Sequence, residues 1–466
     1  MATILTGGTV VTAADCYQAE VRIEGEKVVA IGQDVFQPGD HHIDVEGCFL
    51  FPGGIDPHTH FDLPVGDIKT ADDFVSGTRA AAVGGTTTVI DFATQNKGES
   101  LATALFNWHE KARGQSYIDY GFHLAISEVT KDVLEEMTTL ISKEGVSSVK
   151  LYMAYKNILQ VDDGALLKVL KLAKKAGLLV CVHCENGDVI DVLVNEAQNK
   201  GQIEPRYHPL TRPIAIEREA TGRAICLAEL ADAPLYIVHV SSGAALEMVE
   251  QARLKGFPVY AETCPQYLLL DDSYYETSDF SGAKYVLSPP LRPVSNQKAL
   301  WAGLDSSSVA TVGSDHCSFN LKGQKEKGLK DFSQIPNGGP GVENRFGLLY
   351  TYGVANGKIN LNQFVALTST NAAKLFGLFP RKGTIAVGSD ADLVVWDPTV
   401  QEVITAKKQM QQVDYNLYEG FCQQGKARHV FLRGQHLVKE GILQEEGPAG
   451  SYLRRTSYCE GRDGSV

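Results

Sequence analysis

Short apolar, β-branched runs alternate with helical patterns through most of this chain, and that alternation limits its fold more than any other feature. The runs are GCFLFPGGIDPHTH, TTTVIDFA, GFHLAISE, SSVKLYM, LLVCVHC, PLYIVHV, PVYAETC and SVATVGSD. Between most of them lie segments such as KDVLEEMTTLISKEG, DDGALLKVLKLAKKAG and GAALEMVEQARLKG, ending in glycines suited to a helix C-terminus. A strand alternating with a helix eight times predicts an α/β protein built on a TIM (β/α)8 barrel over residues 49–382. Residues 1–48 and 383–442 read instead as short strands punctuated by Gly and Asp, and are expected to form one composite β-sandwich domain. The Gly- and Arg-rich C-terminal tail, 443–466, is expected either to pack as an arm on another subunit or to be disordered.

A chain of 466 residues, 44% hydrophobic and with 45 glycines, can supply the core that such a barrel needs. Its formal charge of −13 argues against nucleic acid or an anionic membrane surface as a partner, because both favour a basic patch. The opening residues, MATILTGGTVV, show no basic segment followed by an apolar core, and no apolar run reaches the length of a membrane span. A cytoplasmic protein is expected. Nine cysteines spread over the chain suit reduced thiols better than a disulfide framework. Cys181 and Cys184 have CxxC spacing, but no second CxxC follows at zinc-ribbon distance, so no structural zinc is expected there.

FPGGIDPHTHFDLPVG, residues 51–66, places His58 and His60 one residue apart. In an extended segment they project from one face and can share one metal, although two such histidines can equally cap a strand. The rest of the chain bears on the choice. Lys150 lies in the fourth strand-like run, His183 closes the fifth, His239 the sixth and Asp315 the eighth. Any one of these could be a hydrogen-bonded core residue. In a TIM barrel, however, the C-terminal strand ends converge on one mouth, so all six would meet there.

The set HxH…K…H…H…D resembles that of the amidohydrolase superfamily. GGIDPHTHFD, GGTTTVIDFA, SSVKLYMAYK, VHCENGD, YIVHVSSGAA, AETCPQYLLLD, YVLSPPLR, GSDHCSF, IPNGGPGVENR and GSDADLVVWDP are similar, more narrowly, to motifs of the dihydropyrimidinase and D-hydantoinase family. The resemblance implies that His58, His60, Lys150 and Asp315 bind one zinc ion, and Lys150, His183 and His239 a second. Lys150 would then be carboxylated. An ammonium between two dications is repelled, whereas a carbamate carries one negative charge and two oxygens that can bridge them. A surface lysine is the alternative, but SSVKLYM reads as a buried strand, where an unpaired charge is expensive. Two zinc ions would bring a bound water's pKa toward roughly 7 or lower, making hydroxide available at neutral pH.

The resemblance also implies hydrolysis of a cyclic imide or ureide to an N-carbamoyl amino acid, with Asp315 as proton shuttle and Tyr155 stabilising the oxyanion. Tyr155 could otherwise be a core aromatic. Ser288 and Asn337 match positions that display backbone groups to the ring. Leu63, Val65, Tyr152 and Leu159 fall in loops resembling the family's substrate lids and would wall an exocyclic group. Dihydroorotases commonly carry an arginine at the second position after the HxH; here Asp62 stands there and would repel a substrate carboxylate. Mononuclear deaminases lack the bridging lysine. An allantoinase-like hydrolase and a non-catalytic dihydropyrimidinase-like scaffold are the alternatives, the scaffold being disfavoured because all six ligand types are present. A homotetramer is implied by the resemblance alone.

Overall fold

The computed structural model describes residues 2–444 and 446–458. Eight strands, Gly54–Thr59, Thr86–Thr94, Asp119–Ala125, Ser148–Tyr152, Leu179–His183, Leu235–Ile237, Val259–Thr263 and Val309–Val312, form one sheet in which each pairs parallel with its neighbours in chain order. A parallel bridge between Thr59 and His316, with His60 N donating to His316 O at 2.8 Å, closes it into a barrel. The strands are buried almost throughout, as parallel strands covered on both faces must be. The helix Lys131–Glu144 ends at Gly145 with φ 67°, and Asp163–Ala176 at Gly177 with φ 67°. Only glycine adopts that left-handed conformation at no steric cost. No helix among the described residues is long and apolar enough to cross a membrane.

The run at residues 48–60, expected as a single strand, is two strands in different sheets. Phe49–Pro52 pairs with Leu393–Val403 and with Thr9–Val11, and only Gly54–Thr59 enters the barrel. The reason lies in Gly53 and Gly54. A Cβ at Gly53 would sit 2.0 Å from Thr87 Oγ1, and one at Gly54 would sit 2.9 Å from Gly85 O, so only glycine lets the backbone pass the barrel rim there. Segments from the two ends of the chain combine in the β-domain. It holds a four-stranded sheet from residues 3–44 and a seven-stranded sheet ordered Ile442–Leu443, Gln435–Lys439, Cys422–Leu432, Leu393–Val403, Phe49–Pro52, Thr9–Val11, Cys16–Gln18. Leu5, Val21, Ile23 and Val28 from the first pack with Val10, Leu50, Val395 and Phe431 from the second, as layered sheets require.

The tail is neither disordered nor extended away over its described part. Leu453 N donates to Tyr120 O at 2.7 Å, Arg455 N to Gly145 O at 2.8 Å and Tyr458 N to Gly177 O at 2.8 Å. It therefore crosses the N-terminal ends of the third, fourth and fifth barrel strands, on the side opposite the mouth. Leu453 is fully buried, and the Arg455 guanidinium bonds Ser148 Oγ and the Phe122 carbonyl. Residues 459–466 of the expected tail lie outside the described residues.

One buried ionic cluster joins the two parts. Lys382, 1% exposed, pairs with Asp119 of the barrel at 2.7 Å and with Asp390 at 3.2 Å, and also with Asp392. Burial opposes charge here. The three carboxylates outweigh it and hold Lys382 above the ordinary lysine range, while Lys382, Lys27 and Arg381 draw Asp390 down to about 2. Asp119, Asp390 and Asp392 lie close enough to hold a metal, but Lys382 already supplies the cation. Lys382→Met, which leaves the carboxylates together without it, is expected to lower stability by about 3–5 kcal/mol. A denaturant midpoint within error of wild type would refute this account.

Candidate metal centre and active site

The barrel strands deliver their side chains to one mouth. Asp56 Oδ1 accepts from His58 N at 3.1 Å and from Ser314 N at 3.0 Å, tying the end of the first strand to the segment after the eighth. Asp91 accepts from Thr59 Oγ1 and Phe61 N, each at 2.8 Å, on the other side of the HxH. His58 Nε2 then lies 3.1 Å, and His60 Nε2 3.4 Å, from Asp315 Oδ1. His183 Nδ1 and His239 Nε2 are 2.9 Å apart, and the His58 and His239 rings, 5.4 Å between centroids, bring this pair beside the first group. His239, Asp315 and Tyr155 have φ of 41°, 51° and 65°. Left-handed backbone costs a non-glycine residue energy, and it clusters where function demands a direction for a side chain.

Two buried glutamates orient the histidines. His58 Nδ1 bonds Glu262 Oε1 at 2.5 Å, which turns Nε2 toward Asp315. His183 Nε2 bonds Glu185 Oε2 at 2.9 Å, which leaves Nδ1 aimed at His239. This is how outer carboxylates set the tautomer of metal-binding imidazoles. Glu262 also accepts from Tyr236 Oη at 2.9 Å and His239 N at 3.1 Å. Glu185 is held ionised, well below the carboxylate range, because Arg212 at 2.8 Å and His183 outweigh its burial.

Burial lowers His60, His183 and His239 below the usual imidazole value, so all three are neutral donors at pH 7. Burial acts on His58 too, but Glu262 and Asp315 outweigh it and raise it to about 9. Asp315 is held well below the carboxylate range by His58 and His60 in spite of its own burial. Lys150 is 1% exposed and pushed down to about 8 by burial. Its Nζ makes no hydrogen bond or ion pair among the described residues; it lies 4.9 Å from the Phe92 ring centroid and 5.0 Å from that of Tyr152.

These residues fit a divalent cation. Ligand atoms about 2.1 Å from one tetrahedral ion are roughly 3.4 Å apart, close to the separations around Asp315 and between His183 and His239. His58 Nε2, which faces Asp315, is buried without a hydrogen-bond partner. Neutral imidazoles beside an ionised carboxylate are the donor set such an ion takes.

The residues expected at the substrate fall into two groups. Tyr155 packs on the His183 ring at 5.4 Å and shares an apolar cluster with Tyr152, Leu159, Phe92 and Ala125. Burial keeps its hydroxyl above the ordinary phenol range, with Ser288 and Asn337 as hydrogen-bond neighbours. Leu63 instead packs against the main core, and Val65 is exposed in the hairpin Pro64–Val65 with Ile68–Lys69. Asp62 does not stand as a free negative charge: Lys69 pairs with it at 2.7 Å, which removes the repulsion argument against an anionic substrate. Sequence reasoning missed Glu262, Glu185, Arg212 and Phe92. Phe92 stacks on His60 at 4.9 Å and on His123 at 4.6 Å and forms the floor between the histidines. Glu262, Glu185 and Phe92 had only their position near a strand end as a sequence signal, in AETC, VHCE and VIDF, and Arg212, in the loop segment LTRP, had none.

The amidohydrolase family model matches residues 49–437. The chain belongs to the amidohydrolase family. It is similar to the D-hydantoinase of Geobacillus stearothermophilus, 53% identical over 458 residues that cover 98% of this chain and 97% of that one. It is also similar to the crystal structure of dihydropyrimidinase from Brevibacillus agri NCHU1002, at a TM-score of 0.97, 53% identity and coverage of 98% and 99%. The D-hydantoinase from a Bacillus sp. AR9 gives a TM-score of 0.97, 55% identity and the same coverage. The family implies a metal centre, and the mouth of this amidohydrolase has the donors for one. Zinc added to chelator-treated protein is therefore expected to raise its thermal midpoint, since an ion that binds only the folded state stabilises it by about 2.7 kcal/mol at a hundredfold excess over its Kd. A midpoint that zinc shifts equally in wild type and His58→Ala would argue against this site.

Proposed function

We propose that this chain is a zinc-dependent cyclic amide hydrolase that opens dihydropyrimidine or 5-substituted hydantoin rings to N-carbamoyl amino acids, taking the D-configuration of the latter. The convergence of His58, His60 and Asp315 beside the His183–His239 pair, around a buried and unpaired Lys150, carries the reading. The D-hydantoinase and dihydropyrimidinase relatives support its substrate class. His58, His60 and Asp315 would hold one ion and His183 and His239 a second, with a carboxylated Lys150 as a ligand to both. Bound there, such ions would supply an acidified water and a Lewis acid for the ring carbonyl. A cytoplasmic homotetramer acting on a small cyclic imide or ureide completes the proposal.

The side chains divide the remaining work. Asp315, held ionised, takes the proton at its carboxylate oxygen and delivers it to the ring nitrogen as the C–N bond breaks. Tyr155, kept protonated by burial, donates to the oxygen that gains charge at the attacked carbon. The backbone at Ser288 and Asn337 meets the ring's polar edge. Tyr152 and Leu159, with Leu63 and Val65 on the approach, take its exocyclic group. Metal-replete protein that leaves dihydrouracil, hydantoin and phenylhydantoin all intact would defeat this reading.

Asp315→Asn is expected to lower kcat by about two to four powers of ten, because an amide cannot accept the proton. Zinc per chain is measured alongside, and near-native turnover with zinc bound would take the proton from Asp315. Lys150→Ala is expected to lose zinc and activity together, and acetate or propionate to restore part of both by filling the emptied bridge. Lys150→Arg, permanently charged, is expected to resist rescue. Full zinc and unchanged activity in unrescued Lys150→Ala would make the lysine merely structural.

A further inference from the structure

Two strips of backbone beside Tyr155, residues 286–289 and 336–339, are held at five of their eight carbonyls among the described residues. In the first, Val286 O accepts from Gly338 N at 3.0 Å and from Lys325 Nζ at 3.1 Å, Leu287 O accepts from His208 Nε2 at 2.7 Å, and Pro289 O accepts from Tyr267 Oη at 2.8 Å. The Ser288 side chain is taken as well, donating to Glu185 at 2.7 Å and accepting from Arg212 at 3.0 Å. Among the described residues, the Ser288 carbonyl is the one acceptor of 286–289 with no protein donor. In the second strip, Pro336 O accepts from the same Lys325 Nζ at 3.1 Å, and Gly339 O accepts from Cys317 N at 3.1 Å. The backbone N–H and C=O of Asn337 between them are uncommitted among the described residues. A single ammonium therefore spans the two strips, beside the lone backbone bond from Gly338.

We propose that Lys325 is a positioning residue for substrate: by tying the Val286 and Pro336 carbonyls together it sets the distance between the Ser288 carbonyl and the Asn337 backbone that receive the ring. This rests on the reading of Ser288 and Asn337 as ring contacts. Lys325 is fully buried, and no carboxylate lies within ion-pair distance of it among the described residues. A buried cation without a counter-charge costs stability, so it is a poor device for folding alone. Charged donors make shorter and stronger bonds to carbonyls than neutral ones, which suits a part that must fix a spacing. Burial pushes Lys325 down to about 7. The neutral amine still has an N–H for each carbonyl, so the tie survives deprotonation.

The experiment compares metal-loaded wild type with Lys325→Met, which keeps the side chain's length and removes its donors. It reads kcat and KM for hydantoin and dihydrouracil, zinc per chain and the thermal midpoint. The expected result is a KM raised about tenfold or more, kcat within roughly threefold and both metals retained, as for a misplaced contact away from the reacting atoms. A KM within twofold of wild type, a fall in kcat at unchanged KM, or loss of zinc would overturn the proposal. If Lys325→Met does not fold, Lys325→Gln, whose amide holds one carbonyl, is expected to raise KM by a smaller factor, and an unchanged KM there overturns the proposal equally. Hydantoins methylated at each ring nitrogen in turn test the underlying reading in wild type. Both turned over at unchanged KM would remove the Ser288 carbonyl as a ring contact. Loss of one of them, with hydantoin handled normally by Lys325→Met, would remove only the role of Lys325.

Discussion

The site depends on the seam that closes the barrel. Asp56 and Arg345, both fully buried, sit on that seam. Asp56 Oδ1 holds His58 N and Ser314 N, while Arg345 Nη1 donates to Val312 O at 2.8 Å and Nη2 to Thr86 Oγ1 at 3.1 Å. The Arg345 and Asp56 side chains approach to 3.5 Å. These bonds fasten the first strand to the last across more than two hundred residues of chain, and they place the HxH against Asp315. A site assembled from five of the eight strands needs those strands in register, yet only this seam joins barrel strands whose order in the chain does not already make them neighbours. Removing either partner leaves a buried charge uncompensated at the seam, which is strongly destabilising.

The alternation of strands and helices was readable because parallel strands covered on both faces must be continuously apolar, and because glycine ends their helices. The candidate ligands were readable because each is a polar residue within an apolar barrel strand, as Lys150 is, or at or just beyond the strand's C-terminal end. What escaped was local and three-dimensional. Gly53 breaks one apolar run into two sheets because Thr87, distant in sequence, crowds it. The left-handed backbone of His239 and Asp315 turns their side chains inward, and no sequence pattern marks a non-glycine residue that will pay that cost. Glu262 and Glu185 look like any polar residue after a strand until the imidazoles they orient are in place. Arg455 read as part of a charged tail, whereas its guanidinium is satisfied by Ser148 and Phe122 beneath the barrel.

Three buried lysines show how surroundings divide one side chain among three tasks. Lys382, ringed by Asp119, Asp390 and Asp392, is a fixed cation that locks the β-domain to the barrel. Lys325 faces carbonyl dipoles and no carboxylate, and sits at about 7. Lys150 faces the rings of Phe92 and Tyr152 and is lowered to about 8. Burial works against its charge, Asp315 and Glu262 favour it, and the ring faces attract it only weakly, so Lys150 is left below the ordinary lysine range with no ion pair of its own.

That last difference bears on the proposed carbamate. Carbon dioxide reacts with the free amine and not with the ammonium, and the new N–C bond releases a proton while placing a negative charge on the former lysine. A shift from an ordinary lysine value to about 8 multiplies the amine fraction near neutral pH by roughly 300, since each pKa unit is a factor of ten. Burial alone thus prepares the nucleophile, but burial also opposes the anion that results. The opposition ends only when cations stand beside it. His60, His183 and His239 are kept neutral, and Glu262 and Glu185 turn His58 and His183 so that the second ring nitrogen of each faces inward. Those inward nitrogens and the ionised Asp315 are donors for a cation beside the amine, so the proposed carboxylation and metal binding should each be weak without the other.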